Sequence, residues 1–98
     1  MQNKIKTYIG FAIKSGEFAL GVDNILKARK VAIILVDEVL GENSCRKLYN
    51  KFDGSIIRKV ANLTDITNGA MAFAITNKEL ASACNKILSG EDGGNIVE

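Results

Sequence analysis

The feature that most constrains the fold is a continuous apolar run from Val31 to Val36, V-A-I-I-L-V, rich in β-branched residues. A strand with one solvated face alternates apolar and polar residues, whereas an unbroken apolar run is typical of a strand covered on both faces. Such a strand requires a layer above and a layer below its sheet. We therefore predict an α/β protein built around this strand.

The residues before this run predict how the chain enters it. Glu17 to Leu20 favours a short strand, and Gly21 breaks it. A helix then follows, and Asp23 or Asn24 could cap it, because a short side-chain oxygen can accept hydrogen bonds from first-turn amides. This segment also carries Lys27, Arg29 and Lys30. It is either a phosphate-contacting helix end or a βαβ crossover with a solvated basic face.

The rest of the chain alternates helical and extended patterns. Apolar residues at helical spacing predict a first helix over residues 3–14, ended by Ser15-Gly16. Phe11 lies off its apolar stripe and suggests that this helix is covered on more than one side. A third helix is predicted by the apolar stripe Cys45, Leu48, Tyr49 and Phe52. After it we predict a strand Ser55–Val60, a short helix Ala61–Thr67, a turn at Asn68-Gly69 and a strand Ala70–Ile75. The last predicted helix is capped by Thr76 or Asn77 and has the apolar stripe Leu80, Ala83, Cys84, Ile87 and Leu88.

This order of elements predicts a single-domain, three-layer α/β/α sandwich with a four-stranded mixed sheet. The 98 residues are 47% apolar, enough for one core. Residues 1–90 carry all 13 basic and 8 of the 11 acidic side chains. We therefore expect a mildly basic domain over residues 1–90 and an acidic, disordered tail over residues 91–98. Mild basicity permits nucleic-acid binding without requiring it.

Several kinds of chemistry are excluded by composition. The chain has no histidine, which removes His-based triads and His-ligated zinc. The two cysteines, Cys45 and Cys84, lack metal-ligand spacing, and we interpret both as unbonded core residues. We expect no cofactor, no metal and no small-molecule substrate. No apolar run is long enough to cross a bilayer and no signal peptide is visible, so a cytoplasmic location is expected.

One acidic pair keeps an enzymatic interpretation open. Asp37 and Glu38 follow the buried strand at its carboxyl end, where α/β enzymes often place catalytic groups. No base, nucleophile or second acidic cluster accompanies them. A solvated loop is therefore the favoured interpretation, and a deep pocket around these carboxylates would favour the enzyme.

Several segments together resemble the kink-turn RNA-binding superfamily that includes the large-subunit ribosomal proteins seven-Ae and thirty-e, and in particular its small bacterial YlxQ-type members. The resemblance covers roughly residues 3–88. It is carried by the segments I-G-F-A-I-K-S-G from Ile9 to Gly16, G-V-D-N-I-L-K from Gly21 to Lys27, the strand to Asp37, E-N-S from Glu42 to Ser44, and the closing strand from Met71 to Asn77.

The resemblance implies an α/β/α sandwich that binds structured RNA and is not an enzyme. In the family the glycine lets the backbone approach RNA, an Asn and a Glu reach the sheared G·A pairs of the kink, and a Lys meets phosphate or base edges. Gly21 and Lys27 match this pattern, whereas Asp23 and Asn24 replace the Asn and the Glu. An aspartate lacks the amide donor and brings a negative charge toward RNA.

The expected function is thus a ribosome-associated or structured-RNA-binding protein, with ribosomal RNA and ribosomal proteins as partners. RNA should be contacted along an edge that carries Gly16 and Gly21. The alternative is a protein-interaction module that keeps the fold without binding RNA, which an acidic surface around Gly21 would favour. The candidate RNA-binding residues are Lys14, Ser15, Gly16, Gly21, Val22, Asp23, Asn24, Lys27, Arg29, Lys30, Thr67, Asn68 and Gly69.

Overall fold

The computed structural model describes residues 4–89, and the predicted acidic tail at residues 91–98 lies outside them. Helices and strands alternate in the order that the sequence predicts. A 3-10 turn at Gly54–Ile56 precedes the third strand. The elements are α1 Lys4–Ser15, β1 Phe18–Leu20, α2 Val22–Lys27, β2 Ile33–Asp37, α3 Glu42–Lys51, β3 Ile57–Val60, α4 Leu63–Thr67, β4 Ala72–Ile75 and α5 Lys78–Leu88.

The four strands form one mixed sheet in the order β1-β4-β2-β3. β2 and β3 are parallel, whereas β4 runs antiparallel to both of its neighbours, β1 and β2. The carboxyl ends of β1, β2 and β3 therefore lie at one end of the sheet, together with the start of β4. We call this the Gly21 end, because Gly21 follows β1 there. The opposite end, where the Arg29–Ala32 segment leads into β2, is called the Arg29 end.

Two hydrophobic cores flank the sheet and make the architecture a three-layer α/β/α sandwich. Ile33 and Leu35 pack in the core under α1, α4 and α5, whereas Ile34 and Val36 pack in the core under α2 and α3. Every residue of β2 is buried. Successive side chains of a strand point to opposite faces, so a strand covered on both faces is largely apolar, and here only the last residue of β2, Asp37, is polar. This confirms the prediction from the apolar run.

The helix caps differ from the prediction at α2 and agree with it at α5. The N-cap of α2 is Gly21, so Asp23 and Asn24 lie inside the first turn and cap nothing. The amide of Asn24 instead donates to the carbonyl oxygen of Leu20, at 2.8 Å. At α5 the prediction is confirmed, because the cap is Asn77, one of the two residues proposed for it, and its side-chain oxygen accepts from two first-turn amides. A side chain caps only where the backbone leaves the helix, and this depends on the preceding loop.

Three predictions about the helix faces are wrong or partly right. Phe11 is 50% exposed, so α1 is covered on one side only. Tyr49 is 49% exposed, and α3 buries Leu48 alone completely. Both cysteines are free, but only Cys84 is buried, whereas Cys45 is half-buried. Within residues 4–89, no helix has the length and hydropathy that a membrane span needs.

Candidate nucleic-acid interface

Gly21 has a backbone conformation that only glycine adopts readily. Its φ is 87° and its ψ is 153°, a region that side chains exclude. Its amide donates to the carbonyl oxygen of Ala72 at 2.9 Å, which ties the turn to the start of β4. A Cβ placed on Gly21 would meet no heavy atom within 4 Å. The backbone is therefore open to solvent and accessible to a ligand on that side.

The residues after Gly21 have different roles in this turn. Val22 is half-buried against the core under α2 and α3. Asp23 and Asn24 are exposed in the first turn of α2. Asn24 uses its amide group to hold the carbonyl of Leu20, so this group closes the turn around Gly21. Asp23 is the residue whose charge faces outward, where the positive end of the helix favours a carboxylate.

The second candidate loop, Thr67 to Met71, is a tight turn with two left-handed residues. Asn68 has a φ of 64° and Gly69 a φ of 111°. The amide of Gly69 donates to the carbonyl oxygen of Thr64 at 2.8 Å. The hydroxyl of Thr67 is buried and lies 2.6 Å from the carbonyl oxygen of Ala70. Thr67 thus supports the loop from inside, and Asn68 and Gly69 are its exposed tip.

The fold brings these two loops together at the Gly21 end. The Thr67–Met71 loop leads into β4 at Ala72, and Ala72 accepts the hydrogen bond from Gly21. β4 is therefore the element that places the second loop beside the first, because it pairs with β1 in antiparallel orientation. Lys27 is exposed at the last position of α2, roughly 9 Å along the helix axis from Gly21.

The other candidate residues lie at the opposite end of the sheet, so Gly16 and Gly21 flank the two ends of the edge strand β1 and do not lie side by side. Gly16 precedes β1 and Gly21 follows it, and the extended residues between them span roughly 16 Å. Glu17, beside Gly16, accepts a backbone hydrogen bond from Thr76 at the far end of β4. The candidates at the Arg29 end are Lys14, Ser15, Gly16, Arg29 and Lys30.

The segments that meet at the two ends differ in charge, although Glu17, Asp53 and Glu79 also lie at the Arg29 end. Four exposed carboxylates lie in the loops and first helical turns of the Gly21 end, and no Lys or Arg occurs in residues 31–45 or 60–77. The basic side chains of the connecting segments gather at the Arg29 end instead. The carboxylates of the Gly21 end belong to Asp23, Glu38, Glu42 and Asp65. The exposed cations of the Arg29 end belong to Lys14, Arg29, Lys30 and Lys78.

Asp37 has a structural role that corrects the expectation of a solvated loop. It is the last residue of β2 and is only 4% exposed. One carboxylate oxygen accepts from the amide of Val39 at 3.0 Å, and the other accepts from the amide of Thr64 at 3.2 Å. The side chain therefore ties β2 to α4 and satisfies a free amide at the helix start. Glu38 is exposed. Within residues 4–89, no group of three or more potential metal ligands occurs.

Sequence reasoning missed two features at the Arg29 end. One is Lys78, which opens α5 and comes close to Arg29 and Lys30 in space. The other is a cavity of about 670 Å³ that these three cations help to line. The run of Arg29 and Lys30 just before the apolar strand was a signal for the basic end. Lys78 carried no local signal, because its position depends on the antiparallel pairing of β4 with β2.

Comparisons with known proteins support the fold alone. No family model matches the sequence, and no curated protein matches it either. One solved structure with this fold is described as "The structure of a protein with unknown function from Bacillus halodurans C". It superposes with a TM-score of 0.76 over 90% of this chain and 99% of that chain, at 16% identity. The resemblance to kink-turn proteins therefore stays a prediction from the sequence.

Proposed function

We propose that this protein is a non-enzymatic, cytoplasmic RNA-binding protein that contacts structured RNA, such as ribosomal RNA, through its Gly21 end. One observation carries the proposal: the Gly21 turn and the Thr67–Met71 loop lie side by side, joined through the hydrogen bond from Gly21 to Ala72. Two tight loops at one end of a rigid sheet offer a fixed surface to a folded RNA.

The backbone of both loops is suited to close approach by RNA. Gly21 and Gly69 both have positive φ, and neither has a heavy atom within 4 Å of its would-be Cβ. A base or phosphate can therefore approach the backbone of either loop without displacing a side chain. Lys27, roughly 9 Å along the axis of α2 from Gly21, supplies a positive charge that can contact a phosphate of an RNA bound at the turn.

Asp23 and the other carboxylates of the Gly21 end oppose this contact. They place four negative charges around the loops that would meet a polyanion. They also support a second candidate function, a protein-interaction module that binds a partner with a basic surface. The two candidates predict opposite effects of removing one negative charge at Asp23, which makes this residue the best probe.

The test is a binding titration with a kink-turn RNA and a scrambled RNA of equal length, over a series of salt concentrations. Lys27→Ala should weaken RNA binding and flatten the log–log salt dependence by about one unit, because one phosphate contact is lost. Lys59→Ala is the matched control, since Lys59 is exposed on β3, at the opposite edge of the sheet from β1. It should leave affinity and slope unchanged.

Asp23→Asn should strengthen RNA binding, because it removes a negative charge and adds an amide that can donate to a base edge. Under the second candidate function, the same variant should instead weaken binding of an arginine-rich peptide. If Lys27→Ala changes neither affinity nor slope, RNA does not bind at the Gly21 end. If Lys27→Ala weakens binding while Asp23→Asn gains nothing, the protein contacts the RNA backbone without reading bases.

A further inference from the structure

The Arg29 end holds a cavity of about 670 Å³ that the proposed RNA contact does not use. Its size lies within the range of roughly 300–1,000 Å³ typical of small-molecule sites. Three chain segments that are distant in sequence form it: the connection between α2 and β2 with the first residue of β2, the turn before β3, and the stretch from Thr76 through α5 to Asn85. Such a cavity is a product of the tertiary fold, and its walls rest on the rigid sheet.

The polar part of the lining is cationic. Arg29, Lys30 and Lys78 line the cavity, and no Asp or Glu does. Glu17, Asp53 and Glu79 lie in neighbouring segments, outside the lining. Glu17 accepts a hydrogen bond from the amide of Asn77, and Asp53 accepts one from the backbone of Ser55. Three cations in one concavity favour an anionic ligand, and phosphate is an anion that arginine and lysine bind well.

The rest of the lining is apolar with a few neutral polar groups. Phe52, Ile56 and Ala81 provide apolar surface. Hydroxyl and amide side chains, Ser82 and Asn85 among them, stand on the same walls. Asn85 accepts a hydrogen bond from Arg58, which holds its side chain in place and leaves its amide group as a donor.

We infer that this cavity binds a nucleotide, either free or as a residue of an RNA strand. The three cations match the phosphate, the apolar walls match the faces of the base, and the hydroxyl and amide groups match the ribose and the base edges. A ligand with a purely apolar tail would leave the polar groups of the wall unpaired. The inference does not depend on the Gly21 end, since the two sites lie at opposite ends of the sheet.

The test is calorimetric titration of the full chain with AMP, inorganic phosphate, adenosine and a single-stranded RNA tetramer. AMP should bind with a Kd below about 1 mM. Phosphate and adenosine should each bind at least about tenfold more weakly, because each lacks one half of the recognised chemistry. If the ligand is a free nucleotide, AMP should bind as tightly as the RNA tetramer or more tightly. If the ligand is a residue of an RNA strand, the tetramer should bind more tightly than AMP.

Arg29→Ala and Lys78→Ala should each weaken AMP binding by about tenfold or more, as expected when one charge-assisted contact is removed. Both side chains are exposed, so the fold should be kept, which circular dichroism can verify. Ser82→Trp should abolish binding by filling the cavity from its exposed wall. Lys59→Ala is the control with the same loss of charge outside the cavity, and it should leave AMP binding unchanged.

Three results would overturn the inference: no heat with any nucleotide, AMP binding that Arg29→Ala and Ser82→Trp leave intact, or phosphate binding as tight as AMP binding. None of them bears on the Gly21 end, because kink-turn RNA binding is measured separately with Lys27→Ala. A protein that binds AMP but not kink-turn RNA would refute the proposed function and support this inference.

Discussion

Replacing Gly21 with alanine tests the backbone geometry on which the Gly21 end depends. A Cβ there would meet no heavy atom within 4 Å, so no steric clash contributes. The cost comes from the backbone alone, because φ 87° and ψ 153° lie in a region that is essentially restricted to glycine. Holding a residue there costs about 1–3 kcal/mol.

A second effect has the opposite sign. Alanine allows the unfolded chain fewer backbone conformations than glycine does, so less conformational entropy is lost on folding. This raises the free energy of unfolding by about 0.4–1 kcal/mol. The expected net result of Gly21→Ala is a loss of about 1.3 kcal/mol in the free energy of unfolding, within a range of about 0–2.6 kcal/mol. For a domain of this size the thermal midpoint should fall by about 4–8 °C per kcal/mol.

The chain offers a matched control in Gly10. It lies inside α1, and a Cβ on it would also meet no heavy atom within 4 Å. Its backbone is helical, so Gly10→Ala should stabilise the protein by about 0.5–1 kcal/mol. The two variants make the same chemical change in equally open surroundings and differ only in backbone conformation.

The assay is urea unfolding followed by circular dichroism, with an unchanged m-value as the sign that only stability has moved. Opposite shifts of the two midpoints support the geometry described for Gly21. If Gly21→Ala raises the midpoint as Gly10→Ala does, then Gly21 has an ordinary backbone conformation. The turn would then have no special shape for close approach by RNA.

Three further predictions concern the core, a helix cap and the thiols. Ile34→Ala should lower the free energy of unfolding by about 2–5 kcal/mol, because Ile34 is fully buried in an inner strand. Urea titration measures this change, and a loss below about 1 kcal/mol would contradict the three-layer core. Asn77→Ala should cost about 0.5–2 kcal/mol through the lost cap. It should also raise the pKa of Glu17, because the Asn77 amide now lowers the pKa of that carboxyl, followed by the Ser15 hydroxyl. The hydrogen bond to ionised Glu17 stabilises the fold above the pKa that Glu17 has in the unfolded chain, and this stabilisation is lost as the pH falls through its folded-state pKa. An NMR titration in which Asn77→Ala leaves the Glu17 pKa unchanged would refute the role of this contact. Burial raises the pKa of the Cys84 thiol to about 11, so iodoacetamide at pH 8 should label Cys45 before Cys84. Mass spectrometry of the digested protein can measure the two labelling rates. Equal rates would contradict the burial of Cys84.

The two candidate sites differ in how far local sequence could predict them. Gly21 and the turn at Asn68-Gly69 were predictable, because positive φ is confined mostly to Gly and Asn. That Gly16 and Gly21 lie apart was also readable from the sequence, since an extended strand separates its two flanking residues. The comparison with the family motif suggested otherwise, because it treated Gly16 and Gly21 as parts of one surface without considering the strand that lies between them.

Other parts of the sites had no local signal. The inward hydroxyl of Thr67 and the burial of Asp37 depend on contacts with Ala70, Val39 and Thr64 after the loops close. The amide of Asn24 holds the carbonyl of Leu20, where a cap was expected. In each case a polar side chain satisfies a backbone group that only the folded loop leaves unpaired.

By itself, the sequence determined the order of the elements, the doubly covered strand β2 and the places where glycine must break the chain. These features follow from periodicity and backbone sterics, which act over a few residues. Only the tertiary structure decided which elements meet. The insertion of β4 between β1 and β2 sets the Thr67–Met71 loop beside Gly21 and brings Lys78 to Arg29 and Lys30. Strand pairing of this kind joins residues far apart in sequence, and a local pattern cannot encode which pairing buries the most apolar surface.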